Sequence, residues 1–335
     1  MAAMRLWGLH RASERKINTG MLAWILLSCT CLLFAALGRA QKDSVAIEQN
    51  VVPGQPASIR VTSDLVLIPV TVLNLDGRPI MGLQKENFAL FDDGQEQVIT
   101  HFAMDDAPIS VGFVFDTSAS MFGKMQKSRE AVRAFLNTAN PDDEFFLVRF
   151  SNRVNLAMDL TKDTEQLQKQ IRLIQPSGQT ALWDAIHFSI SRMRQVKNVR
   201  KSLIIVSDGG DNRSRYTRTE IKNMVRESDV QIYAIGIFDP VDVRSRIPEE
   251  ANGPQLLQEV TTQTGGRLFE IDVNEMPELA WKLGRALRAQ YLLGYSPNKS
   301  RHDGKYHHVE VKLAPSKVSP KMQAYWRRGY YSPAE

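Results

Sequence analysis

Two rhythms of apolar and polar positions divide the chain. From Leu65 to Phe102 the apolar residues come in short runs broken by turn signals. Leu65–Val72 reads as a strand, Leu75-Asp76-Gly77-Arg78-Pro79 as a turn, Phe88–Phe91 as a second strand, Asp92-Asp93-Gly94 as its turn, and Val98–Phe102 as a third strand. Short strands separated by Asp-Gly turns predict a small antiparallel β module. From Ile109 onward short apolar runs, at 109–116, 146–150, 203–206, 232–237 and 268–271, alternate with amphipathic stretches. In these, Met125, Val132, Phe135 and Leu136 share one helical stripe, and Leu182, Ile186, Ile190 and Met193 share another. That alternation predicts an α/β, Rossmann-like fold, a mostly parallel sheet flanked on both faces by helices. After a helix over about 276–290, strand character returns at Tyr291–Tyr295 and Val309–Leu313, and the chain ends Trp326-Arg327-Arg328-Gly329-Tyr330-Tyr331 before a short tail. These last strands have no helices to alternate with, so their simplest partner is the N-terminal β module. The expectation is an α/β domain at 108–288 inserted into a β module built from both flanks, 60–107 and 289–335. Tyr325 and Trp326 are expected to pack that module.

Composition changes the picture mainly at the N-terminus. With 335 residues, 43% hydrophobic and 24% charged, the chain has ordinary globular composition and room for one large or two ordinary domains. Residues 1–40 stand apart: basic residues precede an apolar run from Met21 to Leu37, followed by the small-residue ending Gly38-Arg39-Ala40. This reads as an export signal, either cleaved near Ala40 or kept as an anchor. A lipid-attachment reading of Leu26-Leu27-Ser28-Cys29 is weakened because the apolar run continues past the cysteine. Residues 41–59 are polar, hold Pro53, Gly54 and Pro56, and read as a linker. Without residues 1–40 the formal charge falls from +5 to +1, so the basic balance belongs to the targeting segment and gives no support for nucleic-acid binding. Both cysteines, Cys29 and Cys31, lie in the apolar run, which leaves the exported part without a disulfide or a thiolate metal site. The implied location is extracytoplasmic: periplasmic, secreted, or membrane-anchored through residues 21–37.

The chemistry is concentrated where the run Ile109–Phe115 ends in Asp116-Thr117-Ser118-Ala119-Ser120. In an extended or gently turned segment, alternate residues project to one side, so the Asp116 carboxylate and the Ser118 and Ser120 hydroxyls can face one point. An all-oxygen set of this kind suits a hard divalent cation. Asp208, in Val206-Ser207-Asp208-Gly209, also sits at a strand end, where open α/β sheets bind ligands. A plain turn or helix cap would account for Asp116 alone. A haloacid dehalogenase type of phosphatase needs a second aspartate where Ser118 stands. Gly123-Lys124 lacks the spacing of a phosphate-binding loop. His302, His307 and His308 read as surface residues of a polar turn, and Asp211 as an exposed loop acid that could otherwise join an outer shell. No catalytic motif is present, and the chain is read as non-enzymatic, with a metal-dependent hydrolase the weakest option.

The Asp116–Met121 segment, together with Gly178-Gln179-Thr180-Ala181-Leu182 and Ser207-Asp208-Gly209, resembles the von Willebrand factor type A domain over about residues 108–288. All five positions of that family's metal-ion-dependent adhesion site are filled: Asp116, Ser118, Ser120, Thr180 and Asp208. The flanks, with Ile68-Pro69-Val70-Thr71-Val72, Leu293-Gly294-Tyr295-Ser296-Pro297 and Gly329-Tyr330-Tyr331, resemble the von Willebrand A-related proteins common in acidobacteria. The resemblance implies Mg²⁺ or Mn²⁺ touched by Ser118, Ser120 and Thr180, with Asp116 and Asp208 acting largely through bound water. It further implies a partner protein whose Asp or Glu completes the shell. The alternative is an envelope scaffold or assembly protein acting through its β module, with a vestigial metal site.

Overall fold

In the computed structural model, residues 65–104, 106–238, 253–297, 303–314 and 322–334 are described. The expected export signal (1–40), the linker (41–59) and His302 lie outside the described residues. Among the described residues no helix is long and apolar enough to cross a membrane.

Four strands precede the α/β domain: β1 (Val66–Leu73), β2 (Phe88–Asp92), β3 (Gln95–Gln97) and β4 (His101–Ala103). The domain itself contributes β5 (Ile109–Asp116), β6 (Glu144–Phe150), β7 (Val154–Thr161), β8 (Arg200–Ser207), β9 (Gln231–Gly236) and β10 (Leu268–Glu270). Its helices are α1 (Met125–Leu136), α2 (Thr164–Leu173), α3 (Leu182–Met193), α4 (Arg218–Glu227), α5 (Gly253–Gln263) and α6 (Met276–Arg288). Four strands follow: β11 (Gln290–Tyr295), β12 (Tyr306–Leu313), β13 (Gln323–Trp326) and β14 (Gly329–Tyr331).

The domain sheet runs β10-β9-β8-β5-β6-β7, parallel except for β7, which is antiparallel to β6 at the edge. All eight residues of β5 are buried, as a continuous apolar strand in the middle of a two-faced sheet requires. Phe113 and Phe115 pack with Val132 and Phe135 of α1 and Leu283 and Leu287 of α6 on one face. Val114, Val148 and Ile205 pack with Ile186 and Ile190 of α3 on the other.

The flanking strands form two four-stranded sheets, β13-β1-β11-β4 and β14-β12-β2-β3. Each is built from both sides of the inserted domain: β1 pairs with β11 and β13, and β2 pairs with β12. One core, including Val70, Leu90, Tyr291, Val311 and Trp326, lies between them. The segment expected as one strand, Val98–Phe102, is different. β3 belongs to one sheet and β4 to the other, and residues 98–100 carry the chain across, which leaves Val98 76% exposed and Ile99 8% exposed.

The expectation for the histidines needs correction as well. His308 is exposed, but His307 is buried on β12, with Nδ1 2.9 Å from Asp93 Oδ2 and Nε2 3.1 Å from Asp303 Oδ1. Burial works against its protonation, but the two carboxylates outweigh it and hold its pKa above the ordinary value. Strand alternation turns one of the adjacent histidines inward and the other outward, which composition alone does not show.

Where the inserted domain begins and ends, the buried Asp143 receives the Ile109 N–H at the start of β5 (3.1 Å) and the Asn140 N–H (2.7 Å). It also pairs with Arg288 at the end of α6, whose Nε donates to the Thr138 carbonyl. A single carboxylate therefore fastens both junctions of the insertion.

Candidate metal centre

β5 is the first strand of the domain sheet, with β6 on one side and β8 on the other, so the chain reverses direction of winding at β5. Such switch points open a crevice at the carboxyl ends of the strands. Asp116 closes β5 there, fully buried, and Asp208 follows directly on Ser207, the last residue of the adjacent β8.

Each oxygen of the Asp116 carboxylate is held. Oδ1 accepts the Ser118 N–H at 2.8 Å, and Oδ2 accepts the Ser207 hydroxyl at 2.5 Å. The Ser207 oxygen in turn accepts the Gly209 N–H at 3.0 Å. Burial, and after it the like charge of Asp208, pushes the Asp116 carboxyl up to about 7 against the pull of those hydrogen bonds. Two carboxylates are thus set against each other in a place that disfavours charge, an arrangement that a cation relieves.

Ser118 is buried and Ser120 exposed, yet their Oγ atoms lie 3.0 Å apart. Six oxygens placed octahedrally about 2.1 Å from Mg²⁺ have neighbours about 3.0 Å apart, so this spacing matches one edge of such a shell. The donor set contains only carboxylate and hydroxyl oxygen, which fits a hard divalent cation.

Thr180 comes from a third loop, tied to the other two through backbone. The Ala119 N–H donates to the Gly178 carbonyl at 3.0 Å, and the Ser177 N–H to the Thr117 carbonyl at 2.7 Å. The Thr180 N–H donates to Asn212 Oδ1 at 3.0 Å, while the Thr180 carbonyl accepts the N–H groups of Asn212 (3.0 Å) and Arg213 (3.1 Å). Gly178 sits at φ +84°, the left-handed region that glycine adopts without strain. Segments 116–120, 177–180 and 207–213 therefore share one rim, and all five expected residues lie on it.

Several residues that hold the rim carry no sequence signal for that role. Ser207 was legible as part of a motif but not as the group that orients Asp116. Asn152 accepts the Gln179 N–H at 2.8 Å, and Asn212 does the same for Thr180. Asp211 is not an exposed loop acid. It is half-buried and caps α3, taking the Leu182 N–H at 2.8 Å, the Trp183 N–H at 3.4 Å and the Ser214 hydroxyl at 2.6 Å. Burial raises its carboxyl, and these hydrogen bonds oppose the rise. Capping fixes the helix that starts two residues after Thr180.

A fixed cation is also present: Lys124 Nζ lies 3.4 Å from Asp208 Oδ2, with both side chains almost entirely out of solvent. Its charge repels a divalent ion and competes for the same carboxylate. Lys124→Met is expected to tighten divalent-cation binding by about tenfold, roughly 1.4 kcal/mol. Titration calorimetry on the two proteins checks this, and equal affinities would show that Lys124 does not compete.

Residues 111–210 match the family model of the von Willebrand factor type A domain. Inter-alpha-trypsin inhibitor heavy chain H2 of Mus musculus is 29% identical over 168 residues, 45% of this chain and 18% of that protein. An uncharacterized protein of Borreliella burgdorferi is 23% identical over 187 residues, 50% of this chain and 54% of that one. The chain therefore spans about a fifth of the mouse protein's length and about half of the Borreliella protein's. Among solved structures, the vWF domain of the type V pili tip protein Mfa5 from Porphyromonas gingivalis is 15% identical, with a TM-score of 0.44, covering 54% of this chain and 95% of that one. Proximal thread matrix protein 1 from the mussel byssus, with a zinc-occupied MIDAS motif, is 17% identical, with a TM-score of 0.45, covering 58% of this chain and 49% of that one.

Proposed function

We propose that this von Willebrand factor type A domain is a metal-dependent protein-binding site in an exported protein. Asp116, Ser118, Ser120, Thr180 and Asp208 hold Mg²⁺ or Mn²⁺, and the site engages an Asp or Glu of a partner protein. The observation that carries the reading is the meeting of three oxygen-bearing loops at the switch point, around an aspartate whose ionisation burial and a neighbouring carboxylate oppose. The bound cation supplies positive charge and a coordination position that a partner carboxylate can fill. Ser118, Ser120 and Thr180 contribute neutral oxygens to the ion directly while Asp116 and Asp208 act largely through bound water, which leaves the cation electrophilic. Ser207 and the Ser118 N–H fix the direction of the Asp116 carboxylate. Export rests on residues 1–40. The flanking motifs Ile68–Val72, Leu293–Tyr295 and Gly329–Tyr331 fall on β1, β11 and β14 of the β module.

The test is capture of envelope proteins on the immobilised chain with Mg²⁺, with chelator, and with Thr180→Ala. A partner retained only by the wild type with Mg²⁺ supports the reading. A partner retained in all three conditions moves the function to the β module.

Protons compete with the cation at Asp116. Without metal, the folded protein keeps Asp116 protonated up to about pH 7, while the unfolded chain releases that proton near its ordinary value of 3.8. The stability this group contributes is therefore present in full at low pH and lost as pH rises through about 7. A bound cation favours the ionised form and reverses that loss. The rise in melting temperature produced by Mn²⁺ is expected to be larger at about pH 8 than at about pH 5. Equal rises at the two pH values would contradict this.

A further inference from the structure

Beside the Thr180 loop lies an open groove of about 1060 Å³, bordered by β7, α3 and the segment after Asp208. It adjoins the metal centre through two of its own lining residues, since Asn152 holds the Gln179 N–H and Asn212 holds the Thr180 N–H. At about 1060 Å³ the groove is at the top of the roughly 300–1,000 Å³ range of small-molecule pockets and is open to solvent, which leaves room for a stretch of extended chain.

Its charge is one-sided. Arg153, Arg213 and Arg215 line it and are exposed. Among the described residues neither Arg153 nor Arg213 has an ion-pair partner. Among the described residues the one acid lining the groove, Asp184, is already engaged: Oδ1 accepts the Arg215 N–H at 2.8 Å and the Tyr216 N–H at 3.1 Å, and Oδ2 lies 3.3 Å from Arg215 Nε. His187 adds no charge at neutral pH, because burial holds its pKa below the ordinary value. It stacks on Tyr216 with ring centroids 3.8 Å apart, giving the groove an aromatic floor for the methylenes of a bound side chain.

We propose that the partner segment is acidic beyond the single carboxylate at the metal, and that its flanking Asp and Glu side chains lie in this groove against Arg153, Arg213 and Arg215. The proposal rests on the metal-dependent binding reading and names the partner's chemistry. Guanidinium groups pair with carboxylates through two parallel N–H bonds. Exposed arginines around a groove also draw an acidic segment toward it before docking, an effect that salt weakens.

Two fluorescent ten-residue peptides test this on the full chain: one with a single Asp in a Gly/Ser background, the other with that Asp flanked by four Glu. With Mg²⁺ the acid-rich peptide is expected to bind about tenfold more tightly. That advantage should shrink between roughly 50 and 300 mM salt and fall below about threefold in the Arg153→Ser, Arg213→Ser, Arg215→Ser triple variant. Retained circular dichroism and melting temperature in the variant exclude loss of fold. Equal binding of the two peptides, an advantage unchanged in the variant, or no binding of the acid-rich peptide up to about 1 mM overturns the proposal. If chelator leaves the arginine-dependent advantage in place, the groove stands and the metal-dependent reading falls.

Discussion

Thr180→Ala is expected to remove divalent-cation binding without altering the fold. Thr180 is buried, and its N–H and C=O are bonded to Asn212 and Arg213 through backbone atoms that alanine retains. The loop should keep its course while one neutral oxygen disappears from the rim. Losing a residue that supports a metal site costs about 10–100-fold in affinity even where it acts only from the outer shell, so the upper end is expected for a ligand. For the wild type, Mn²⁺ at about 100 times its dissociation constant adds roughly 2.7 kcal/mol of stability. This corresponds to a rise of about 5–10 °C in melting temperature. The variant should melt within about 2 °C of the wild type in chelator and show almost none of the rise with Mn²⁺. A full rise in the variant would remove Thr180 from the metal shell.

The largest expected loss of stability is at Arg288→Met. Arg288 pairs with Asp143, a carboxylate with no solvent exposure that also holds the Ile109 and Asn140 N–H groups. Methionine fills much of the space but leaves the carboxylate buried without its cation, which costs about 3–5 kcal/mol. The second partner of Arg288, Asp106, is 63% exposed, so Asp106→Ala should cost less than about 1 kcal/mol. Because Asp143 fastens both junctions of the insertion, the damage should extend to both the domain and the β module. Urea unfolding followed by tryptophan fluorescence checks the pair of variants. Equal, small losses would place the junction's strength elsewhere, for instance in the Gln290 side chain, which donates to Gln231 at 2.6 Å and Thr71 at 3.1 Å.

The elements legible in the sequence were those buried on a wide face. β5 is apolar at every position that meets a helix, and α1 and α3 bury six and eight residues at helical spacing. Helices α2 and α4 each bury only two residues, Leu167 with Ile171 and Ile221 with Val225, one i,i+4 pair on an otherwise mostly polar helix. Their start signals were present: Asp163 accepts the Gln166 N–H at 2.8 Å, and Thr217 forms a capping box with Glu220. β7 is a half-exposed edge strand that carries polar residues, so it lacks the continuous apolar run of its neighbours. Asp116, Ser118 and Ser120 are legible because a strand end carrying Asp-x-Ser-x-Ser is a local pattern and Asp208 because it is an acid at a strand end, whereas Thr180 enters only through the family resemblance. The groups that hold them, Ser207, Asn152 and Asn212, come from distant parts of the chain and act through hydrogen bonds with no sequence periodicity. Asp211 is not legible as a cap for the same reason, since the helix end it caps begins 29 residues earlier.

Whether Asp116, Ser118, Ser120, Thr180 and Asp208 hold one divalent cation is decided by titrating Mn²⁺ into the full chain, with free Mn²⁺ followed by electron paramagnetic resonance. One equivalent bound by the wild type and none by Asp208→Ala, with both proteins folded, is the expected result. No binding by the wild type, or the same stoichiometry and affinity in the variant, would contradict it.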